Sequence, residues 1–155
     1  MPKFYITTSI PYTNAAPHIG FALELVQADV LARFRRQAGE EVFFLTGTDE
    51  HGLKIKKAAE SLNKTPKEFT DEVSSQFKKL CSVLGISNDD FIRTTDEQRH
   101  RPAIEAVWKK LSESGDIYKK KYKGLYCSGC EAFVTEKDLV EGKCPNHQKK
   151  IGRAS

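Results

Sequence analysis

The sequence predicts an α/β domain with a parallel sheet, followed by a small basic module that carries most of the cysteines. Strand-like and helix-like segments alternate along the first 115 residues. Basic and acidic side chains balance at 16 each over residues 1–115, whereas residues 116–155 hold 9 basic and 5 acidic side chains and three of the four cysteines. This shift in composition places a boundary near Ser114, Gly115 and Asp116, with one domain over residues 1–115 and a second over residues 116–155.

The overall composition excludes several classes of protein. The chain has 155 residues, of which 39% are hydrophobic and 30% charged, a mixture typical of soluble globular proteins and too apolar for a disordered one. A net charge of +4 is too small to identify a nucleic-acid-binding protein by charge alone. No segment approaches the roughly 20 apolar residues of a membrane-spanning helix, and no secretory signal begins the chain. We therefore expect a cytoplasmic protein without a membrane partner.

The first elements form a strand, a loop, a helix and a second strand. Aromatic and β-branched residues predict a strand over residues 3–9, and prolines mark the loop that follows. Apolar residues at three- and four-residue steps predict a helix over residues 18–38, which Gly39 ends. Residues 41–46 form an apolar run that indicates a buried strand. A helix between two strands is the connection that a parallel pair requires.

Two further helices follow a polar turn. The turn is predicted over residues 47–52, and a lysine-bearing helix over residues 53–62. Thr65, Pro66 and Glu68 form a capping box with proline at the first helical position, so a helix should run from there to Leu84.

The last part of the domain is predicted as a short strand and a helix. Residues 91–93 favour the strand, and residues 95–98 resemble a second capping box. Pro102 should either kink the next helix or delay its start. That helix has one apolar face, formed by Ile104, Val107, Trp108 and Leu111.

Two polar segments, residues 9–20 and 46–52, follow the first two strands. In open α/β sheets, ligands bind beyond the carboxyl ends of the strands. The N–H groups of a helix that begins near His18 would favour an anion, by about 0.3–1 kcal/mol for a surface charge. His18 is suited to donate to a phosphate, Gly20 would let a ligand approach, and Asp49 is suited to accept from an ammonium group.

Purely structural interpretations of these residues are also open. A histidine at a helix start is usually a cap or a surface residue. An Asp-Glu-His-Gly segment is usually just a turn, and Gly20 would then only relieve helix–strand packing.

The second module contains a pattern typical of zinc sites. Cys127, Cys130, Cys144 and His147 follow the spacing Cys-x2-Cys-x13-Cys-x2-His. Two short turns that each supply two ligands meet the tetrahedral preference of zinc, and Gly129 lets the first turn close. Four protein ligands predict a closed, structural Zn²⁺ site. The alternative is a chance grouping of thiols in a loop.

Three segments together carry a resemblance to a known family. Residues 17–21, Pro-His-Ile-Gly-Phe, resemble the HIGH signature of class I aminoacyl-tRNA synthetases. Residues 10–14 and 46–52 are similar to the methionyl-tRNA synthetase family in particular, and the likeness runs from Lys3 to His147. The resemblance implies a catalytic domain built on a Rossmann-type, HUP-like parallel sheet. Such a domain activates L-methionine with ATP and Mg²⁺ and passes it to the acceptor end of tRNA(Met).

The resemblance also implies the roles of individual residues. Methionine would be bound by Ser9, Ile10, Tyr12 and Asp49. ATP would be bound by Pro17, His18, Gly20 and Phe21, with His18 and Gly20 as the catalytic positions. Residues 1–115 would then be the N-terminal half of the catalytic domain, and residues 116–155 the start of the connective insertion with its zinc knuckle.

The chain departs from the family pattern at two points. Phe21 stands where the signature usually has histidine, which removes one candidate donor to the phosphates. The second ATP motif, Lys-Met-Ser-Lys-Ser, does not occur. We therefore expect one part of a longer enzyme, either excised or split, that binds zinc but makes little methionyl-adenylate alone and acts with the remaining C-terminal part.

Two other functions stay open at the level of sequence. One is a class I synthetase for cysteine, leucine, isoleucine or valine, which shares the HIGH element. The other is a zinc-ribbon module that binds nucleic acid. The tyrosines and lysines of residues 118–126 suggest a hairpin with a basic side, which we interpret as a solvated edge strand in preference to a contact with tRNA.

Overall fold

The computed structural model describes residues 2–148 and 151–154 and divides into two compact units, Met1–Ala106 and Val107–Ser155. The division falls within the last helix of the first unit, whereas the composition boundary lies just after that helix. The assignment of the two sequence segments to a catalytic half and an insertion stays a prediction.

The first unit contains three strands, β1 (Lys3–Thr7), β2 (Glu41–Thr48) and β3 (Asp90–Arg93), which form a parallel sheet in the order β1-β2-β3. Lys3 lies opposite Glu41 across the first strand pair, and Leu45 lies opposite Asp90 across the second. The predicted α/β class with a parallel sheet is confirmed. The helices are α1 (Ile19–Gln37), α2 (Leu53–Ser61), α3 (Pro66–Val83) and α4 (His100–Glu113), the last of which contains the boundary between the units.

The helices α1, α2 and α3 enclose the main core of this unit. Helix α3 begins at the predicted capping box, where Glu68 N donates to Thr65 Oγ1 at 3.2 Å and Thr65 N donates to Glu68 Oε2 at 2.9 Å. Cys81 is buried among apolar side chains of this core, and burial raises the pKa of its thiol. The buried cluster consists of Phe21, Leu25, Ile55, Ala59, Phe69, Val73, Phe77 and Cys81.

Strand β2 continues through Gly47 and Thr48, which the sequence assigned to a turn. Both residues pair with β3, Gly47 opposite Ile92 and Thr48 opposite Arg93. The turn therefore begins only at Asp49. The prediction was wrong here because the strand partner, which lies more than 40 positions away in sequence, extends the pairing.

The second predicted capping box is also wrong. Asp96 Oδ1 accepts hydrogen bonds from Gln98 N at 3.0 Å and Arg99 N at 2.9 Å, whereas the Thr95 hydroxyl donates to Glu50. Helix α4 begins at His100, so Pro102 lies in its first turn, where the missing N–H costs no helical hydrogen bond. Of the two outcomes predicted for Pro102, the delayed start is correct. No residue of α4 is buried, so its apolar face is exposed.

The second unit contains the strands β4 (Gly124–Cys127), β5 (Ala132–Val134) and β6 (Gly152–Ala154), and a 3-10 turn at Glu136–Asp138. The strands form an antiparallel sheet in the order β5-β4-β6. The hairpin predicted over residues 118–126 is strand only from Gly124, and residues 116–123 have no regular structure. None of the described helices is both long enough and apolar enough to cross a membrane.

Candidate active site and metal centre

The loop after β1 and the turn after β2 lie side by side. Asp49 N donates to the Pro11 carbonyl at 2.9 Å, and Thr13 N donates to the Asp49 carbonyl at 3.1 Å. These bonds form a parallel bridge between Tyr12 and Asp49. The structure therefore brings together the two segments that the sequence placed at one sheet edge, because both strands end there.

The carboxylate of Asp49 is oriented by neighbouring donors. Its Oδ1 accepts from His51 N at 3.3 Å and from Thr94 Oγ1 at 3.2 Å. Across the described residues no hydrogen bond reaches Oδ2, and Asp49 is only half-buried. A carboxylate with one oxygen occupied and the other accessible is suited to accept from a cationic group.

The other predicted methionine contacts lie along the loop after β1. Ile10 and Tyr12 expose 37% and 43% of their surface, so both are available to a ligand. The Nζ atom of Lys54 lies 5.9 Å from the centre of the Tyr12 ring. Ser9 is held by Glu24 of α1, since Ser9 N donates to Oε1 at 2.6 Å and Ser9 Oγ donates to Oε2 at 2.7 Å.

Sequence reasoning did not single out Glu24. It lies in the second turn of α1 and holds the loop start against the helix. The only signal for it was a carboxylate six residues after the histidine, and the helical pattern gives no reason to distinguish it from other polar helix positions.

His18 is the N-cap of α1. Gly20 N donates to His18 Nδ1 at 3.0 Å, so in the neutral imidazole the proton is on Nε2. A Cβ atom at Gly20 would lie 2.8 Å from His18 Cε1, so glycine at this position makes room for the ring. The capping interpretation of His18 is therefore correct, and the same geometry leaves an N–H donor on an exposed ring.

Phe21 differs from the other residues predicted to contact ATP. Its side chain is 5% exposed and packs edge-on against Phe77, with ring centres 5.2 Å apart. The ring belongs to the core, so its side chain is not available to a ligand. Pro17, His18 and Gly20 lie at the accessible start of the helix.

Glu50 is a further residue that the sequence did not reveal as special. Its buried carboxylate accepts from Arg93 Nε at 2.7 Å, Arg93 Nη2 at 2.8 Å and Thr48 Oγ1 at 2.8 Å. Burial raises the pKa of this carboxyl, but the bonds from Arg93, Thr95 and Thr48 outweigh burial and leave the pKa below its ordinary value. Glu50 is therefore a buried, negatively charged side chain that Arg93 and Thr48 hold in a fixed position beside Asp49.

The second unit gathers the four predicted zinc ligands. Their ligand atoms all lie within 4.8 Å of one another, and among the described residues they form the one such group of His, Cys, Asp and Glu side chains. His147 Nδ1 lies 3.3 Å from Cys130 Sγ, 3.7 Å from Cys144 Sγ and 3.9 Å from Cys127 Sγ. Zn–S and Zn–N bonds in a tetrahedron place the donor atoms roughly 3.5–3.8 Å apart, so these residues fit zinc.

A further observation agrees with this ligand set. A Cβ atom at Gly129 would lie 2.6 Å from His147 Cδ2, so glycine is needed for the histidine to reach the thiols.

The fold and the site together define a class I aminoacyl-tRNA synthetase domain. Its features are a parallel sheet, a histidine at the start of the first crossover helix, and an acidic turn after the second strand. The chain belongs to the family described as tRNA synthetases class I (M), whose model matches residues 4–155.

Individual relatives agree with this assignment. The methionine--tRNA ligase of Thermotoga maritima is 48% identical over 153 residues, which cover 96% of this chain and 24% of that protein. The methionine--tRNA ligase of Clostridium perfringens is 49% identical over 151 residues, covering 97% of this chain and 23% of the relative. The chain thus spans about a quarter of the length of these curated relatives.

Solved structures give the same result. Mycobacterium tuberculosis methionyl-tRNA synthetase in complex with methionyl-adenylate has a TM-score of 0.90 and 39% identity, over 99% of this chain and 31% of that one. A leucyl-tRNA synthetase from Agrobacterium radiobacter, in a ternary complex with tRNA, has a TM-score of 0.76 at 22% identity. The second likeness shows the fold alone. The predicted Rossmann-type fold and the predicted family are confirmed.

Proposed function

We propose that this chain is the part of a methionine--tRNA ligase that binds L-methionine and ATP, and that it forms methionyl-adenylate only together with the remaining C-terminal part of the enzyme. The observation that carries the proposal is the Asp49 carboxylate, oriented beside the exposed Tyr12 loop in a chain of this family. Transfer of methionine to tRNA(Met) is then the activity of the longer enzyme. Residues 1–115 serve as the first half of its catalytic domain and residues 116–155 as the start of its connective insertion.

Asp49 binds the α-ammonium group of methionine in this proposal. Its Oδ2 supplies the acceptor, while the backbone at Ser9 and Ile10 and the Tyr12 side chain line the pocket. The amino acid thus lies with its ammonium against the turn after β2. An ammonium–carboxylate pair is a charge-assisted hydrogen bond, which is stronger than a neutral one.

ATP, with Mg²⁺, binds at the start of α1. The dipole of α1 favours phosphate at this end of the helix, and the Nε2–H group of His18 donates to it. Pro17 and Gly20 shape this surface. An oxygen of the methionine carboxylate attacks the α-phosphorus, the bond to the β-phosphate oxygen breaks, and pyrophosphate leaves. The protein contributes position and charge stabilisation and supplies no nucleophile of its own.

Zinc has a structural role in this proposal. Cys127, Cys130, Cys144 and His147 supply all four ligands, so no open position remains for a substrate. The metal stabilises the second unit by holding two turns together, and in zinc-finger peptides such binding contributes on the order of 10–16 kcal/mol.

Isothermal titration with a non-hydrolysable methionyl-adenylate analogue tests the function. We expect the chain to bind the analogue and Asp49→Ala to weaken binding by about tenfold or more, because an ionic hydrogen bond is lost. Asp116→Ala, which removes a carboxylate from the second unit, is the matched control and should bind like the parent. Equal binding by Asp49→Ala and the parent would contradict the role of Asp49. Robust ATP–pyrophosphate exchange by the 155-residue chain would contradict its dependence on further polypeptide.

A further inference from the structure

Thr94 connects two acidic residues that otherwise act separately. Its hydroxyl donates to Asp49 Oδ1 at 3.2 Å and accepts from Glu50 N at 2.8 Å. A threonine hydroxyl has one hydrogen and two lone pairs. In this arrangement the hydrogen is donated to the Asp49 carboxylate, and one lone pair accepts the N–H group of Glu50. The hydroxyl orientation is therefore determined by both neighbours.

The backbone of Thr94 is fixed by the sheet. Thr94 N donates to the Thr48 carbonyl at 3.2 Å, directly after the pairing of Thr48 with Arg93. Arg93, the preceding residue, makes a two-pronged ion pair with the buried carboxylate of Glu50. Arg93 also donates to Asp71 Oδ1 at 2.6 Å, which ties this corner to α3. Thr94 thus has little freedom to move away from Asp49.

We propose that Thr94 is a positioning residue for substrate binding: its hydroxyl holds Oδ1 of Asp49 so that Oδ2 faces the α-ammonium group of the amino acid. The inference rests on the proposed function of Asp49 and deepens it. His51 N is the other donor to Oδ1, at 3.3 Å, and a single donor leaves the carboxylate free to rotate about its terminal bond. Thr94 acts on the substrate only through Asp49.

The test compares two ligands on one variant. One ligand is the sulfamoyl analogue of methionyl-adenylate, and the other is the same molecule without the α-amino group. In Thr94→Val, which keeps the shape of the side chain, we expect affinity for the amino-bearing analogue to fall about tenfold, with affinity for the des-amino analogue unchanged within about twofold. Thr94→Ser keeps the hydroxyl and should restore the preference for the amino group.

The valine variant also removes the acceptor of the Glu50 amide, so its folding is checked by circular dichroism. If it is unfolded, Thr94→Ala replaces it, because the smaller side chain leaves room for a water at that amide. If Thr94 had only a general structural role, its substitution would weaken the binding of both analogues equally, and that result would overturn the inference.

The remaining outcomes separate the two proposals. If the parent prefers the amino-bearing analogue and Thr94→Val keeps the full preference, the inference about Thr94 is wrong and Asp49 retains its role. If the parent shows no preference between the analogues, the role of Asp49 fails, and the role of Thr94 fails with it.

Discussion

A Cβ atom on Gly47 would lie 2.0 Å from the carbonyl oxygen of Ile92, so β2 and β3 can approach at this point only with glycine in β2. The added Cβ would meet a backbone atom, so no side-chain rotation could relieve the contact. Because the pairing continues to Thr48 and Arg93, this glycine also determines how closely Asp49 and Glu50 approach Thr94.

Gly47→Ala should therefore lower the free energy of unfolding by about 3 kcal/mol or more, since a backbone must move to admit the methyl group. Gly39→Ala is the matched comparison, because its Cβ meets nothing within 4 Å and only its positive φ of 82° is strained. That variant should lose about 1 kcal/mol. Urea unfolding measures the stability of both variants. If Gly47→Ala loses no more free energy of unfolding than Gly39→Ala, the close approach of β2 and β3 does not require glycine at position 47.

The Glu50 carboxylate should make stability depend on pH in the acid range. Its pKa in the folded protein is below the ordinary value of 4.5, so its stabilising contribution is complete above pH 4.5 and is lost as the pH falls through the folded-state pKa. Glu50→Gln should cost about 2–4 kcal/mol at pH 7, because Arg93 loses the buried one of its two charged partners and keeps only the partly exposed Asp71.

Urea unfolding between pH 7 and pH 3 checks this expectation. In Glu50→Gln the fall in stability with acid should be smaller than in the parent. Glu60→Gln, which removes an exposed carboxylate 3.8 Å from Lys56, should keep the parent profile. A parent-like acid dependence in Glu50→Gln would show that other carboxylates dominate.

His18 is expected to combine a capping role with a phosphate contact, and two substitutions separate them. Serine caps helices well but is too short to replace the Nε2–H donor, whereas alanine lacks both functions. His18→Ser should keep the parent melting temperature and weaken binding of ATP with Mg²⁺ by about tenfold. His18→Ala should also lose about 1 kcal/mol of stability. If His18→Ser binds ATP as the parent does, the phosphate role of His18 is wrong.

Zinc content should depend on the four ligands and not on the remaining cysteine. Cys127→Ser should lose the metal and unfold the second unit, because three ligands and a hydroxyl bind zinc far more weakly than the full set. Cys81→Ser changes a thiol in the core of the first unit and should retain one zinc per chain. Elemental analysis after dialysis, with amide exchange for the second unit, distinguishes them. Full zinc occupancy in Cys127→Ser would exclude Cys127 as a ligand.

Gly129→Ala tests the packing of the same centre without removing a ligand. The added methyl group would meet the His147 ring at 2.6 Å, so the histidine should be displaced and zinc affinity should fall by about tenfold or more. Ser128→Ala, at the neighbouring position of the same turn, is the control. Competition with a chromophoric chelator measures the affinity, and an unchanged value in Gly129→Ala would mean that the turn can shift to accommodate the methyl group.

Local signals in the sequence were sufficient for most elements. The capping box at Thr65 and Gly39 after α1 fixed helix ends, because these residues act on groups within four positions. The zinc spacing was equally local, with each pair of ligands on one short turn. The predictions were wrong where a partner distant in sequence determines the structure. The Thr95 hydroxyl donates to Glu50 and does not cap a helix, and Gly47 pairs with Ile92 as part of β2 and does not belong to the turn.

The sequence by itself determined the α/β class, the family and the identity of the residues that we propose for the site. Only the tertiary structure decided that Phe21 packs into the core, that Glu50 is an anchor, and that Thr94 orients Asp49. The physical reason is the range of the interactions. Helix caps, turns and ligand spacings depend on neighbours along the chain, whereas the orientation of a carboxylate depends on donors that the parallel sheet brings from more than 40 residues away.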